Sequence, residues 1–140
     1  MSNRIQIITV VLVIAAMLPS CKKEEGRGGN SSIVGTVIMR ELEGDHFFSD
    51  LKDEHPAYGE DVYIIYGENT GVGDKADVAM DGSFEFKYLR TGNYKVYVIS
   101  DDSSQAMPDF VPDTIFMKEV IITDKKETVN SGTFIIYNFL

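Results

Sequence analysis

The side chains able to do chemistry are few and unevenly placed. The chain has one cysteine, Cys21, and two histidines, His46 and His55. A single thiol builds neither an internal disulfide nor a zinc site of several thiolates. Both histidines fall in one polar stretch with Asp45, Asp50, Asp53 and Glu54. Imidazole beside carboxylate suits a divalent cation, but the spacing of the two histidines matches no recurrent ligand motif. His46 and His55 are therefore weak metal candidates, and no cofactor is expected. The second group is aromatic: Tyr58, Tyr63, Tyr66 and Tyr97 each carry a flat ring with a polar tip, suited to contact with a ligand such as a sugar. No Gly-x-Ser-x-Gly, His-Glu-x-x-His or phosphate-cradling glycine loop occurs. The expectation is a protein without catalysis, and the enzymatic alternative is a metal-dependent hydrolase using the His46/His55 loop.

The elements that position these residues begin with an apolar run from Ile5 to Leu18, broken by Gln6 and Thr9 and preceded by Arg4. It is short for a bilayer, which takes about 20 apolar residues. It has the length of a signal-peptide core behind a positive start. The run ends in Leu18-Pro19-Ser20-Cys21, followed by Lys22-Lys23-Glu24-Glu25. This resembles a bacterial lipoprotein signal, with Pro19 a departure from the usual small residue. The resemblance implies cleavage before Cys21 and acyl lipid on its sulfur, so that membrane lipid is the first partner. Each buried methylene contributes about 0.8 kcal/mol, and two or three acyl chains hold a protein firmly. Lys23-Glu24-Glu25 resembles the export signal that carries lipoproteins of the Bacteroidetes to the outer face of the outer membrane. The implied location is the bacterial cell envelope, lipid-anchored, in the outer membrane and surface-exposed.

The whole chain has 140 residues with 13 basic and 22 acidic side chains, a net charge of −9. Removing residues 1–20 takes away one base and no acid. Such a charge repels phosphate backbones and excludes nucleic acid as a partner. It also disfavours contact with anionic membrane surfaces beyond the anchor. Residues 21–32 are charged, glycine-rich and serine-rich, which reads as a lipidated flexible tether reaching a few tens of ångströms, at about 5–6 Å × √n.

From Ile33 to Leu140 the pattern is one of short runs rich in Val, Ile, Phe, Tyr and Thr, bounded by Gly, Asp and Asn. The runs are Ile33–Met39, Asp61–Tyr66, Lys75–Met80, Ser83–Tyr88, Asn93–Ser100, Asp113–Thr123 and Thr128–Phe139. In the fourth, Phe84, Phe86 and Tyr88 point inward; in the fifth, Tyr94, Val96 and Val98 do. Asp81-Gly82 is placed for a two-residue type I′ turn. Met39, Met80 and Met117 read as core fillers. Seven strands without helices predict an all-β, antiparallel seven-stranded sandwich over 33–140. Two long connections, 40–60 and 101–113, interrupt it, and Phe47-Phe48 in the first reads as a lid on the sandwich.

The stretch Asp81-Gly82-Ser83-Phe84-Glu85-Phe86-Lys87-Tyr88-Leu89-Arg90-Thr91-Gly92-Asn93-Tyr94-Lys95-Val96-Tyr97-Val98 resembles the signature of carboxypeptidase regulatory-like domains, which are transthyretin-like sandwiches. Ile33-Val34-Gly35-Thr36-Val37 and Gly59-Glu60-Asp61-Val62-Tyr63-Ile64 resemble its earlier strands, with Glu60 in place of the usual alanine. The resemblance implies a structural or accessory binding role without catalysis, and Tyr94 as a tyrosine corner. The chain lacks the C-terminal Tyr-Arg-Gly-Ser of the hydroxyisourate hydrolases that share the fold, and the first strand has no lysine for an isopeptide bond. The expected function is a cell-envelope lipoprotein presenting a non-catalytic binding or structural module to an envelope protein. The alternative is a glycan-binding accessory of an outer-membrane nutrient-uptake complex.

Overall fold

A computed structural model describes residues 24–44, 49–102 and 112–140. Cys21, His46, Phe47 and Phe48 lie outside the described residues, as does the centre of the second long connection. Among the described residues all regular structure is strand: β1 (Arg27–Glu43), β2 (Asp50–Pro56), β3 (Asp61–Tyr66), β4 (Asp74–Asp77), β5 (Ser83–Leu89), β6 (Gly92–Asp101), β7 (Asp113–Ile122) and β8 (Thr128–Phe139).

The strands form two sheets. In sheet A, β8 runs along one side of β1, while β5 and β2 share the other side. Sheet B has the order β4-β3-β6-β7. The core lies between them and follows from alternation along each strand. Ile33 and Val37 from β1, Phe84 and Phe86 from β5 and Phe134 and Ile136 from β8 meet Val62, Ile64, Tyr94, Val96 and Val98 from sheet B. Each such side chain stabilises by about 1.5–3 kcal/mol when fully buried. The expected all-β sandwich is what the chain forms.

Four details differ from the sequence reading. First, an eighth strand, β2, occupies the long 40–60 connection. It pairs antiparallel with the second half of β1, from Ile38↔Pro56 to Glu43↔Asp50. Its residues, Asp-Leu-Lys-Asp-Glu-His-Pro, lack apolar alternation because β2 is an exposed edge strand held by its backbone ladder. Arg40–Glu54 and Lys52–Glu43 ion pairs at 2.6 and 3.4 Å lie across it.

Second, β1 starts at Arg27, inside the segment that composition marks as a tether. Its glycines serve close packing there. A Cβ on Gly29 would sit 1.9 Å from the Leu89 carbonyl oxygen. Ser31 is buried, donates to the Asp124 carbonyl at 2.8 Å and accepts from the Glu127 amide at 3.2 Å.

Third, the sheets are not wholly antiparallel: β1 and β8 run parallel, from Ser32↔Thr128 to Leu42↔Phe139. The chain enters β8 from β7, in the other sheet, so no hairpin dictates its direction.

Fourth, β5 slips by one residue between Ile33↔Phe86 and Ser31↔Leu89. Tyr88 takes a positive φ of 60° at this bulge. The slip turns Tyr88 outward, 67% exposed, and places Leu89 inside. The Asp81-Gly82 turn also departs from type I′, since only Gly82 of the pair has positive φ, at 85°. Gly82 donates to Ala79 O and Ala79 donates to Ser83 O, closing a three-residue turn with glycine in the left-handed position.

The outer edge of β8 is covered by side chains from sheet B. Lys118 Nζ donates to the carbonyls of Ser131 and Thr133 at 3.2 and 2.7 Å. The Tyr137 amide donates to Ser100 Oγ at 2.8 Å, and the Phe139 amide donates to Asp101 Oδ2 at 3.0 Å. Alternate backbone groups of an edge strand that would recruit another chain are thereby occupied.

Candidate functional site

The outer face of sheet B gathers the most distinctive surface residues. Register places Lys75 opposite Tyr63, Tyr63 opposite Tyr97, and Tyr97 opposite Met117, one row across all four strands. Tyr63 and Tyr97 stack with ring centroids 5.0 Å apart and planes at 18°. Such a cross-strand pair contributes about 0.5–1.5 kcal/mol beyond its burial. Around it Ile99, Ile115, Met117 and Ile121 are 42%, 56%, 47% and 59% exposed. Ile99 pairs with Ile115, and Asn93 with Ile121.

One corner of this face is polar. Lys75 Nζ donates to both oxygens of Asp61, at 2.9 and 2.8 Å, and the Tyr63 hydroxyl donates to Asp61 Oδ2 at 3.2 Å. The lysine holds the Asp61 carboxyl below the usual carboxylate range. Partial burial, then the carboxylate, push the Tyr63 hydroxyl up.

The four tyrosines of the sequence reading separate. Tyr63 and Tyr97 come together. Tyr58 stands apart in the turn after β2, 65% exposed. Tyr66 faces inward and meets Tyr94 edge-on, with centroids 5.9 Å apart. Its hydroxyl is buried beside Arg27 without a hydrogen bond of normal geometry, and burial raises its pKa. Met117 and Met80 are surface residues, not core fillers, at 47% and 79% exposure; Met39 does pack against the core. Ile115 and Ile121 were missed because β7 is apolar on both faces, so its alternation hides which side meets solvent; Ile99 lies on the outer face of β6, opposite Ile115.

Tyr94 makes the expected corner. Its hydroxyl donates to the Arg90 carbonyl at 2.7 Å and accepts from the Gly26 amide at 3.1 Å. Burial dominates its environment and pushes its pKa up.

His55 gains two carboxylate neighbours on the β1–β2 ladder. Glu41, Asp53 and His55 each offer one ligand atom, and these atoms lie within 4.8 Å of one another. His55 Nδ1 faces the Pro56 carbonyl at 2.9 Å, and Nε2 faces Glu41 Oε1 at 3.5 Å. With Nδ1 as donor, Nε2 meets the carboxylate either protonated or through a cation. The Pro56 carbonyl and then Glu41 raise the imidazole pKa, favouring the protonated ion pair. The donors, one imidazole and two carboxylates, are of kinds that zinc accepts. His46 lies outside the described residues, so the proposed pairing of the two histidines has no geometry.

No family model and no curated protein matches the chain. Among solved structures, it is similar to a Pseudomonas aeruginosa protein put forward as a carbohydrate binder. The similarity covers 80% of this chain and 90% of that one, at 11% identity and a TM-score of 0.47. A likeness at that level carries no functional argument.

Proposed function

We propose that this chain is a non-catalytic binding module of the bacterial cell envelope, held to a membrane by lipid on Cys21 and presenting the outer face of sheet B to an envelope protein. The single observation that carries the binding role is the Tyr63–Tyr97 stack at the centre of an exposed aliphatic face. Four strands at about 4.8 Å spacing and seven residues at about 3.3 Å make a face of about 300 Å². Exposed apolar side chains cover part of that face, and contiguous apolar patches on small proteins are often functional. A protein interface needs about 800 Å² per partner, so this face forms part of one, with Asp61 and Lys75 at its β4 corner and the Lys95–Glu119 pair crossing it between Met117 and Ile121.

A protein partner suits the face better than a glycan. Each tyrosine already spends one ring face on the other, and the residues around them on β6 and β7 are mainly isoleucine and methionine, with Lys95 and Glu119 the polar exceptions. The Asp61–Lys75 pair beside Tyr63 is what favours the glycan reading, and it occupies only one corner. The resemblance to carboxypeptidase regulatory-like domains and the lipoprotein-type leader support an accessory role at the envelope.

Photo-crosslinking in cells tests the face. A photoreactive residue at Met117 should give one discrete protein adduct, lost on Tyr97→Ala or Ile121→Lys. The same probe at Thr36, on sheet A, should give none. Equal adducts from both positions, or none from either, overturn the assignment. Glycan-array binding lost on Tyr63→Ala would transfer the face to a sugar. Anchoring is tested separately: Cys21→Ala should release the protein from the membrane fraction and abolish palmitate labelling, and unchanged fractionation would count against it.

A further inference from the structure

A cavity of about 420 Å³ opens where the start of β1 meets the β5–β6 corner and the β7–β8 turn. Its walls are Gly28, Gly29, Asn30, Leu89, Arg90, Thr91 and Lys125, with two cations and no acid among them. Neither cation is neutralised among the described residues: Arg90 and Lys125 take part in none of the ion pairs, which involve Arg27, Arg40, Lys52, His55, Lys75, Lys87 and Lys95 instead. The Arg90 Nη1 donates to the Glu24 carbonyl at 3.1 Å, while Nε is buried without a partner. A Cβ on Gly28 would sit 2.8 Å from Arg90 Nη2, so glycine leaves room for the guanidinium here. The acids adjoining this corner, Glu24, Glu25 and Asp124, are not part of the wall, and Glu25 lies against Gly67 and Gly92.

A fixed guanidinium, an ammonium, a threonine hydroxyl and a glycine bulge in one cavity are the groups that bind a tetrahedral oxyanion. Position adds the source. Glu24 is three residues from Cys21, and three residues span at most about 11 Å. If Cys21 carries lipid, the Glu24 carbonyl and the Arg90 bound to it stay within reach of the headgroup layer. The early start of β1 has this effect, since a tether running to residue 32 would have lifted the domain clear.

We propose that the Arg90–Lys125 cavity is a phosphate site at the membrane-proximal end of the domain, filled by an anionic lipid headgroup. The headgroup assignment rests on the lipid-anchor reading; the phosphate site itself does not. The acidic chain as a whole is repelled by anionic membrane, and this cavity is the local exception. A basic side chain near an anionic surface is worth about fivefold in affinity.

The test uses the lipid-bearing full chain in an uncharged maltoside, followed by NMR. It is titrated with inorganic phosphate in one arm and dihexanoyl phosphatidylglycerol in the other. Saturable shifts at the Gly28 and Gly29 amides and Arg90 Nε–H are expected in both arms, with tighter binding of the lipid. Equal affinity would keep the phosphate site and assign it to the free anion. Lys125→Gln, on an exposed turn, should weaken binding about fivefold without altering the spectrum elsewhere, and Arg90→Gln should weaken it further. No saturable shift in either arm overturns the proposal, even if Cys21→Ala still releases the protein from membranes. Saturation with phosphate together with unchanged fractionation of Cys21→Ala would instead remove the anchor and leave the site.

Discussion

Replacing Tyr94 with Phe isolates the hydroxyl that fastens the start of β1. The ring stays, so packing against Tyr66 and the core is retained. What is lost is the hydrogen bond to Arg90 O and the one from Gly26 N, in a residue 1% exposed. A net intramolecular hydrogen bond contributes about 0.5–1.5 kcal/mol, and a stranded buried partner costs about 1–3 kcal/mol. Gly26 is itself buried. The expected loss is about 2 kcal/mol, a fall in Tm of about 8 °C for a domain of this size. Urea titration followed by circular dichroism should show a lower midpoint at unchanged slope. Hydrogen exchange should show the amides of residues 26–31 losing protection before those of β6. A loss under about 0.5 kcal/mol, or protection unchanged at 26–31, would refute the corner as the clasp on β1.

Gly29→Ala should cost more than about 2 kcal/mol in a urea titration, because the new methyl meets the Leu89 backbone; Gly71→Ala, with open space around its Cβ, should be near neutral. Equal effects would remove close packing as the reason for the glycine. Lys118→Met should lower stability by about 1–2 kcal/mol and raise the fraction sedimenting as dimer or larger, since it uncovers two carbonyls on β8; a monodisperse variant would argue against the edge cap. His55 has a folded pKa above its unfolded value, so its stabilisation is full below about pH 6.5 and disappears as pH climbs through the raised value. Glu41→Gln should bring its NMR titration midpoint down, and an unmoved midpoint would exclude Glu41 as a cause.

Sequence pattern reads well where one face of a strand is apolar and the other is not. Tyr94, Val96 and Val98 alternate with Asn93, Lys95 and Tyr97, and their burial follows. The same holds for Val62 and Ile64, and for Phe84 and Phe86. The pattern fails where backbone pairing decides alone. β2 has no apolar stripe to signal it, and the glycines before Ser31 look like a linker because composition does not distinguish freedom from tight packing. Tyr88 looks like a core residue until a bulge reverses it. The outer face of sheet B was half legible: Tyr63 and Tyr97 stood out as aromatic, but their contact depends on the β3–β6 register, which no single strand encodes. The Arg90–Lys125 cavity was illegible, since it joins residues from three distant parts of the chain.

The parallel ladder between β1 and β8 has a consequence for how the chain reaches its native state. Thr36 and Thr133, whose hydroxyls meet at 2.8 Å, are 97 positions apart. The first strand therefore waits, without its longest neighbour, until the 97 positions that separate the two threonines have been synthesised. Assembly is dominated by distant contacts, which places it in the slow class, milliseconds to seconds. If the chain has the envelope role proposed above, that delay keeps it threadable for as long as it has a membrane to cross.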